Sequence, residues 1–333
     1  MGDILNRGVF NVDSPTEPFE VPTGEPMKAD NPLLETRHAQ MDEIRDLVGQ
    51  NDVVVLGIAG CTGNTSAMEV LMSDFKKQEN AGAWRIRINR ANSAADLDQE
   101  VKFKLPGSTA NKLLIVDEAN NIFSLNDEQK KSFASLFKNF LDQGYKIVFL
   151  SHDFTDDGKK FGMDIFTNWV RDNADQGETK KISSTQLETP SAQTMERIFD
   201  ILVSRSALAD DLVQRKKEAL DLCTIPLQLC QLVAMYEEEG GGDEVWQYVV
   251  TEGIGQGSEN FDYFNSNFIQ TIGGDKTRAL LHHVAESGSL AVADLTEDEA
   301  TLYERYKAFH ILTEEDGVIK VKGKILEEAA KNW

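Results

Sequence analysis

The sequence predicts an α/β protein with a doubly wound parallel sheet, followed by a helical region and a small domain of helices and a hairpin. Three observations predict this architecture. The apolar runs VVVLGI, KLLIVD and YKIVFL lack polar alternation, which is typical of strands buried on both faces. Segments with helical spacing of apolar residues alternate with these runs. Residues 191–237 are helical in pattern throughout, and a short hairpin pattern follows near the C-terminus.

The elements of the sheet region can be justified in chain order. Helical spacing predicts one helix before the first buried strand and one after the glycine turn that follows it. Residues 84–90, WRIRINR, alternate apolar and charged residues, as a strand near a sheet edge does. The next helix is predicted to begin with a capping box formed by Ser124 and Asp127. Its apolar face comprises Phe133, Leu136, Phe137, Phe140 and Leu141.

Composition divides the chain into five segments. The first 32 residues hold five of the eight prolines, which exclude a helix and predict an extended or disordered arm. The run EEEGGGDE indicates a joint, and HILTEEDGVIKVKG near the C-terminus predicts a two-stranded wing beside helices. The predicted segments are the N-terminal arm at 1–32, the α/β domain at 33–190, a helical lid at 191–240, a linker at 241–259 and a winged-helix domain at 260–333.

The overall composition narrows the functional class. The chain has 333 residues and a formal net charge of −22, which argues against general attraction to nucleic acid or anionic membranes. Its three cysteines, Cys61, Cys223 and Cys230, form no CxxC pair and no disulfide framework, so reducing surroundings are expected. No signal-peptide pattern opens the chain and no apolar run is long enough to span a bilayer. We therefore expect a cytoplasmic location.

A glycine-rich turn follows the first buried strand, in GIAGCTGNTS. Backbone N–H groups of such a turn, together with the N-terminus of the next helix, bind phosphate. Gly57, Gly60 and Gly63 would give the turn its flexibility, and the hydroxyl of Thr65 or Ser66 would hold Mg²⁺. Asn64, however, stands where phosphate loops carry lysine, and the glycine spacing is one residue longer than usual. Loss of one charge-assisted contact weakens binding by roughly 10- to 100-fold without forbidding it.

Two carboxylates end the second buried strand, in LLIVDE. Asp117 would bind Mg²⁺ through water, and Glu118 would polarise an attacking water molecule. The alternative interpretation is that the strand simply ends in two solvated acids. The glycine turn upstream favours the functional interpretation.

These motifs, in this order, resemble the STAND class of P-loop NTPases, which are related to AAA+ proteins and include NB-ARC and archaeal-type ATPase modules. LLETRHAQMDEIRDLV, with Arg37, is similar to the motif before the first strand, and GIAGCTGNTS and LLIVDE are similar to the Walker A and Walker B motifs. KIVFLSHD resembles the sensor strand, with His152 where NB-ARC members often have arginine. CTIPLQLCQLVA resembles the GxP motif of the lid, in which Pro226 would pack near adenine.

The resemblance implies a P-loop parallel sheet with a helical lid and a C-terminal winged helix, which together bind ATP or ADP with Mg²⁺. It implies Glu118 and His152 as catalytic residues. Asn64 in place of lysine, His152 in place of arginine, and Lys322 and Gly323 in place of a nucleotide-sensing His and Asp imply slow or absent hydrolysis. The implied role is a switch that acts through a protein partner or self-association, or a scaffold that binds no nucleotide.

Two other interpretations start from the same residues. GIAGCTG also fits GxxGxxG, as in atypical short-chain dehydrogenases, and Arg87 or Arg90 would then lie beside the 2′-phosphate of NADP. The YxxxK pair of Tyr303 and Lys307 comes too late in the chain for that family. A DNA-bound initiator is the other interpretation, but residues 296–307 carry four acids against two bases, which is wrong for a DNA groove. We therefore expect no nucleic-acid partner.

Overall fold

The computed structural model describes residues 9–11, 18–20, 38–58, 64–88, 93–152, 163–174, 180–187, 190–254, 269, 274–306 and 311–333. Within the predicted N-terminal arm, two three-residue strands, β1 (Val9–Asn11) and β2 (Pro18–Glu20), pair antiparallel. No helix in the part of the chain that the structure describes is long and apolar enough to cross a membrane.

The main sheet has five parallel strands, as the apolar runs predict. They are β3 (Val53–Gly57), β4 (Ala81–Arg87), β5 (Asn111–Asp117), β6 (Tyr145–Ser151) and β7 (Ile182–Gln186). Their spatial order is β4-β5-β6-β3-β7, and every neighbouring pair is parallel. The prediction that the alternating segment WRIRINR lies at a sheet edge is confirmed, because β4 is the first strand of this order.

Helices cover both faces of the sheet because successive strand side chains point to opposite sides. α1 (His38–Gln50) and α2 (Asn64–Lys76) pack on the face that carries Val54 and Leu56. α3 (Ala94–Lys104), α4 (Asp127–Asp142) and α5 (Met163–Ala174) pack on the face that carries Val53 and Val55. The apolar face predicted for α4 is confirmed, since all five of its residues are buried. The result is a doubly wound α/β unit with two hydrophobic cores.

The start of α4 differs from the prediction. The capping box is formed by Asn126 and Gln129, and not by Ser124 and Asp127. The Asn126 side chain accepts a hydrogen bond from the Gln129 N–H at 2.9 Å, and the Gln129 side chain accepts one from the Asn126 N–H at 3.2 Å. The prediction was wrong because residues 119–124 form a 3₁₀ turn after β5, which delays the entry into the helix.

A helical region follows the sheet, formed by α6 (Ala192–Ser204), α7 (Ala209–Leu222), α8 (Pro226–Glu238) and α9 (Asp243–Ile254). These four helices share one hydrophobic core. α9 occupies much of the range predicted as a linker, and its Trp246 and Val249 are fully buried in that core. Glycines 240–242 adopt positive φ angles and turn the chain into α9 rather than out of the region. Cys223 and Cys230 are free, buried thiols.

The C-terminal unit contains α10 (Asp275–Glu286), β8 (Leu290–Ala291), α11 (Glu297–Tyr306), β9 (Leu312–Glu315), β10 (Val318–Val321) and α12 (Lys324–Lys331). Its three strands form an antiparallel sheet in the order β8-β10-β9. The predicted hairpin is confirmed, and Asp316 and Gly317 form its turn with φ angles of 52° and 75°. Assignment of this unit as a winged helix stays a prediction.

The helical region and the C-terminal unit exchange core residues. Ile325 of α12 belongs to the core of the helical region, whereas Ile225, just before α8, belongs to the core of the C-terminal unit. At this junction the Thr224 hydroxyl donates a hydrogen bond to the Lys322 carbonyl at 2.5 Å. Gly323 has a φ of 79°, and a Cβ there would overlap Thr224 Oγ1 and lie 3.1 Å from the Leu222 carbonyl oxygen. Only glycine fits this approach of the two units.

Candidate functional site

The strand order creates a crevice at the carboxyl ends of β3 and β6. β3 connects through α2 on one face to β4, whereas β6 connects through α5 on the other face to β7. Connections that leave neighbouring strands in opposite directions open a ligand crevice between them. Gly57 ends β3 at this crevice, while Gly60 and Gly63 lie outside the described residues. The first turn of α2 contains Asn64, Thr65 and Ser66.

Asp117 ends β5, one strand away from this crevice, and is 6% exposed. Its Oδ1 accepts the Glu118 N–H at 3.0 Å, and its Oδ2 lies 3.3 Å from Nη1 of Arg85 on β4. The Arg85 Nε lies 3.7 Å from Oε1 of Glu69 on α2, so Arg85 bridges the two carboxylates. Burial, together with the charge of Glu118, raises the pKa of Asp117. Both oxygens of this carboxylate are therefore engaged within the protein.

Glu118 has a left-handed backbone, with φ 52° and ψ 37°, at the start of the 3₁₀ turn. Such a conformation is uncommon for a residue with a side chain and is concentrated at functional sites. The Glu118 carboxylate lies 3.3 Å from Arg87 Nη2 and 3.5 Å from His152 Nε2. Burial alone would raise the pKa of Glu118, but the charges and hydrogen bonds of His152 and Arg87 outweigh it and lower the pKa.

His152 follows β6 directly and is 6% exposed. Its Nδ1 lies 3.1 Å from the Ile58 carbonyl oxygen, which can only accept a hydrogen bond, so Nδ1 carries a proton. Burial alone would lower the pKa of His152, but the Glu118 carboxylate outweighs it and raises the pKa. The imidazole thus connects Glu118 to Ile58, the last described residue before the glycine turn.

Two asparagines that the sequence analysis missed complete the site. The Asn120 Oδ1 accepts the His152 N–H at 3.2 Å, and the Asn121 Nδ2 donates to the Ile88 carbonyl at 3.1 Å. Both side chains are buried in the 3₁₀ turn. A signal was present in the sequence DEANN, because two amides directly after a pair of strand-end acids need buried partners of their own. The asparagines hold the ends of β4, β5 and β6 in register.

Other predicted residues lie elsewhere. Arg37 is outside the described residues. Pro226 is the half-buried first residue of α8, in the helical region. Lys322 lies at the junction with the C-terminal unit, where burial lowers its pKa. Tyr303 is buried in the C-terminal core and its hydroxyl donates a hydrogen bond to Glu314, while Lys307 lies outside the described residues.

The contacts of Asp117 determine whether its carboxylate fits Mg²⁺. A magnesium site needs a carboxylate that can face the hydrated ion, yet the two oxygens of Asp117 already bond Glu118 N–H and Arg85. Among the described residues there is no group of three or more His, Cys, Asp or Glu side chains that could hold a metal ion. Asp117 therefore does not fit a directly bound divalent cation in this arrangement, and its predicted contact with Mg²⁺ through water stays a prediction.

Comparison with known proteins identifies the fold. No protein-family model matches the chain, and no curated protein matches it significantly in sequence. A Walker-type ATPase, PABY2304 of Pyrococcus abyssi, is similar in structure with a TM-score of 0.52 at 12% identity, over 89% of this chain and 95% of that one. The chain has the fold of the P-loop ATPases.

Two further P-loop proteins align over similar lengths with lower TM-scores. Cdc6p from Pyrobaculum aerophilum aligns with a TM-score of 0.42 and 14% identity over 97% of this chain and 98% of that one. The RuvB Holliday junction branch migration motor of Thermotoga maritima aligns with a TM-score of 0.42 and 13% identity over 87% and 91%. The STAND class stays a prediction, as does the role of the glycine turn.

Proposed function

We propose that this P-loop protein is a nucleotide-dependent switch that binds ATP or ADP at the crevice after β3 and hydrolyses ATP slowly or not at all. The observation that carries the proposal is the position of Glu118, held between Arg87 and His152 beside the strand ends that form the crevice. The fold supports a phosphate-binding role for the glycine turn. The altered lysine position, Asn64, is compatible with weaker binding.

Slow hydrolysis follows from the surroundings of Glu118. A general base works best when its pKa lies near the operating pH, and here the pKa of Glu118 is lowered from its ordinary value of 4.5. Its carboxylate is also occupied by an imidazole and a guanidinium. A water molecule would have to compete with both groups for the carboxylate oxygens. Glu118 is therefore better suited to hold His152 than to activate water.

The same contacts provide a route for switching. His152 binds the Ile58 carbonyl through Nδ1 and Glu118 through Nε2, so a displacement of the Ile58 backbone would alter the position of Glu118. Binding of a nucleotide next to Ile58 would affect the strand ends in this way. By resemblance to the STAND class, the output would be contact with a protein partner or self-association.

The test is direct identification of a ligand. Purified protein is denatured and any released nucleotide is identified by mass spectrometry, and thermal shifts are measured with ATP, ADP and NADPH. A ligand at 100 times its Kd stabilises the folded state by about 2.7 kcal/mol. ADP or ATP would support the switch, whereas a shift with NADPH alone would replace it with the dinucleotide-binding alternative.

Asn64→Lys sharpens the test. Restoring a lysine at the loop is expected to tighten ADP binding by roughly 10- to 100-fold, because it adds one charge-assisted phosphate contact. Gln50→Lys, at the exposed end of α1, adds the same charge away from the crevice and controls for net charge. Equal affinity changes in both variants would contradict a phosphate site at the start of α2.

A scaffold that binds no nucleotide is the second candidate. This candidate is favoured by the ion pairs of Asp117 and Glu118 with arginines of β4, which neutralise both acids within the chain. In that case no nucleotide is released from denatured protein and no thermal shift appears. The crevice would then serve as architecture, and pull-down with the whole chain as bait would be the route to a protein partner.

A further inference from the structure

Arg85 occupies an unusual place among the strand-end residues. It lies on β4, which pairs in parallel with β5, and its guanidinium reaches Asp117 on the neighbouring strand. On the other side it reaches Glu69 of α2, the helix that begins directly after the glycine turn. The side chain is 26% exposed, so it is partly enclosed between these acids. The Arg85 guanidinium therefore links Asp117, at the end of β5, to α2.

We propose that the Arg85 guanidinium takes the place of a divalent cation at Asp117, so that the crevice binds a nucleoside diphosphate in its metal-free form. This inference rests on the proposed function and deepens it by naming the form of the ligand. Arginine is suited to the role because it is always protonated and presents a planar set of donors that matches carboxylate and phosphate oxygens.

The charges at the strand ends support this role. Asp117 and Glu118 contribute two negative charges, and Arg85 and Arg87 contribute two positive charges within 3.3 Å of them. Mg²⁺ is ordinarily held by one or two carboxylates together with substrate phosphates. Here it would meet a carboxylate that already contacts a cation, and it would have to displace Arg85 to approach Oδ2. A nucleotide phosphate, by contrast, would meet guanidinium groups already in place.

The experiment measures ADP binding by calorimetry in excess Mg²⁺ and in excess EDTA. For the unmodified chain, the two Kd values are expected to agree within about threefold. Arg85→Gln is expected to make ADP binding metal-dependent by about tenfold or more, because Asp117 loses its built-in cation and becomes free for Mg²⁺.

Arg45→Gln is the matched control. Arg45 also bridges α2, through Asp74, and its side chain has a similar exposure of 32%, but it lies on α1 away from the strand ends. It should leave the ratio of the two Kd values unchanged. Thermal unfolding of each variant establishes that it is folded before binding is compared.

A second measurement does not depend on nucleotide. Mn²⁺ binding, followed by electron paramagnetic resonance without nucleotide, should be absent from the Asp117 site of the unmodified chain. It should appear in Arg85→Gln, and disappear again when Asp117→Asn is added. Mn²⁺ bound to the unmodified chain and lost in Asp117→Asn would overturn the proposal.

The calorimetry has two adverse outcomes that differ in meaning. ADP that binds the unmodified chain tenfold or more weakly in EDTA would overturn the metal-free site while leaving the switch intact. If ADP and ATP bind under neither condition, the proposed function fails, and with it the metal-free nucleotide site. The Mn²⁺ measurement then still decides whether Arg85 keeps divalent cations from Asp117.

Discussion

Arg85 at the strand ends and Arg215 in the helical region illustrate two uses of one side chain. The guanidinium of Arg215 lies 5.7 Å from the ring centroid of Tyr236 and 5.3 Å from that of Trp246, and it also contacts Asp211 and Asp243. Among the described residues no aromatic ring packs on Arg85, which lies between Glu69 and Asp117. One arginine packs on rings, and the other balances charge.

The two arginines differ in the groups that surround them: buried aromatic rings at Arg215 and strand-end carboxylates at Arg85. Tyr236 and Trp246 are fully buried and pack edge to face at 5.3 Å, so the Arg215 cluster fixes α9 against α7 and α8. The Arg85 cluster lies near the carboxyl ends of β4 and β5, and its acids are groups that can bind cations or move protons. Removing Arg215 should therefore affect stability, whereas removing Arg85 should affect what the crevice binds.

Loss of the aromatic platform should have the largest effect on stability. Trp246→Ala removes a fully buried indole and leaves a cavity in the helical core. It should lower the free energy of unfolding by about 3–5 kcal/mol in urea denaturation. Tyr248→Ala on the same helix removes a side chain that is 52% exposed, and it should change the free energy of unfolding by no more than about 0.5 kcal/mol. Similar losses in both variants would mean that α9 does not depend on this core.

The stability contributed by the strand-end cluster should depend on pH around the ordinary pKa values of Glu118 and His152, which are 4.5 and 6.5. The lowered pKa of Glu118 stabilises the fold above 4.5 and is lost as the pH falls through the folded pKa. The raised pKa of His152 stabilises the fold below 6.5 and is lost as the pH rises through the folded pKa. His152→Gln should therefore cost most between about pH 4.5 and 6.5, by about 1.5–3 kcal/mol.

The Arg215 cluster provides the comparison for this pH profile. The Tyr236 hydroxyl and the Gly242 N–H, with the Arg215 charge, lower the pKa of Asp211, so this carboxylate stays ionised through the same range. The stability difference between Arg215→Met and the unmodified chain should be flat from pH 4.5 to 6.5 in denaturation curves. A flat profile for His152→Gln as well would show that His152 is not charged in the folded protein.

Replacement by lysine should give the smallest effect and separates charge from stacking. Arg215→Lys keeps the charge but loses the planar group over two rings, and it should cost about 1–2 kcal/mol in urea denaturation. Arg85→Lys keeps the charge between Glu69 and Asp117, so it should cost about 1 kcal/mol or less. Equal costs at the two positions would remove the distinction drawn between packing and charge balance.

Local patterns predicted most of the fold because they depend on near neighbours. The apolar runs of β3, β5 and β6 and the apolar face of α4 are set by burial on strand and helix faces, which periodicity reports directly. The helix after EEEGGGDE was missed because glycines in series indicate a joint by composition. Composition does not show that Trp246 is buried in the core of the helical region, and this burial keeps the chain in that region after the glycines.

The candidate site was only partly predictable for a related reason. Asp117 and Glu118 were predicted because two acids end a buried strand downstream of a glycine turn, and His152 was predicted from the resemblance to a sensor strand. Their arginine partners were not, because Arg85 and Arg87 contact the acids across β4 and β5, and strand order with register decides that contact. Arg87 was instead weighed as a partner for NADP, and in the folded chain it contacts Glu118.

Ile225 belongs to the core of the C-terminal unit, Ile325 belongs to the core of the helical region, and Gly323 packs closely against Thr224. The two units are therefore coupled by shared packing. Because close packing transmits displacements, a force on the β9–β10 hairpin should reach the first turn of α8 through the described junction residues. We therefore expect that a partner bound to the hairpin would shift the position of Pro226. Deletion of the C-terminal unit would also remove Ile325, which is part of the core of the helical region.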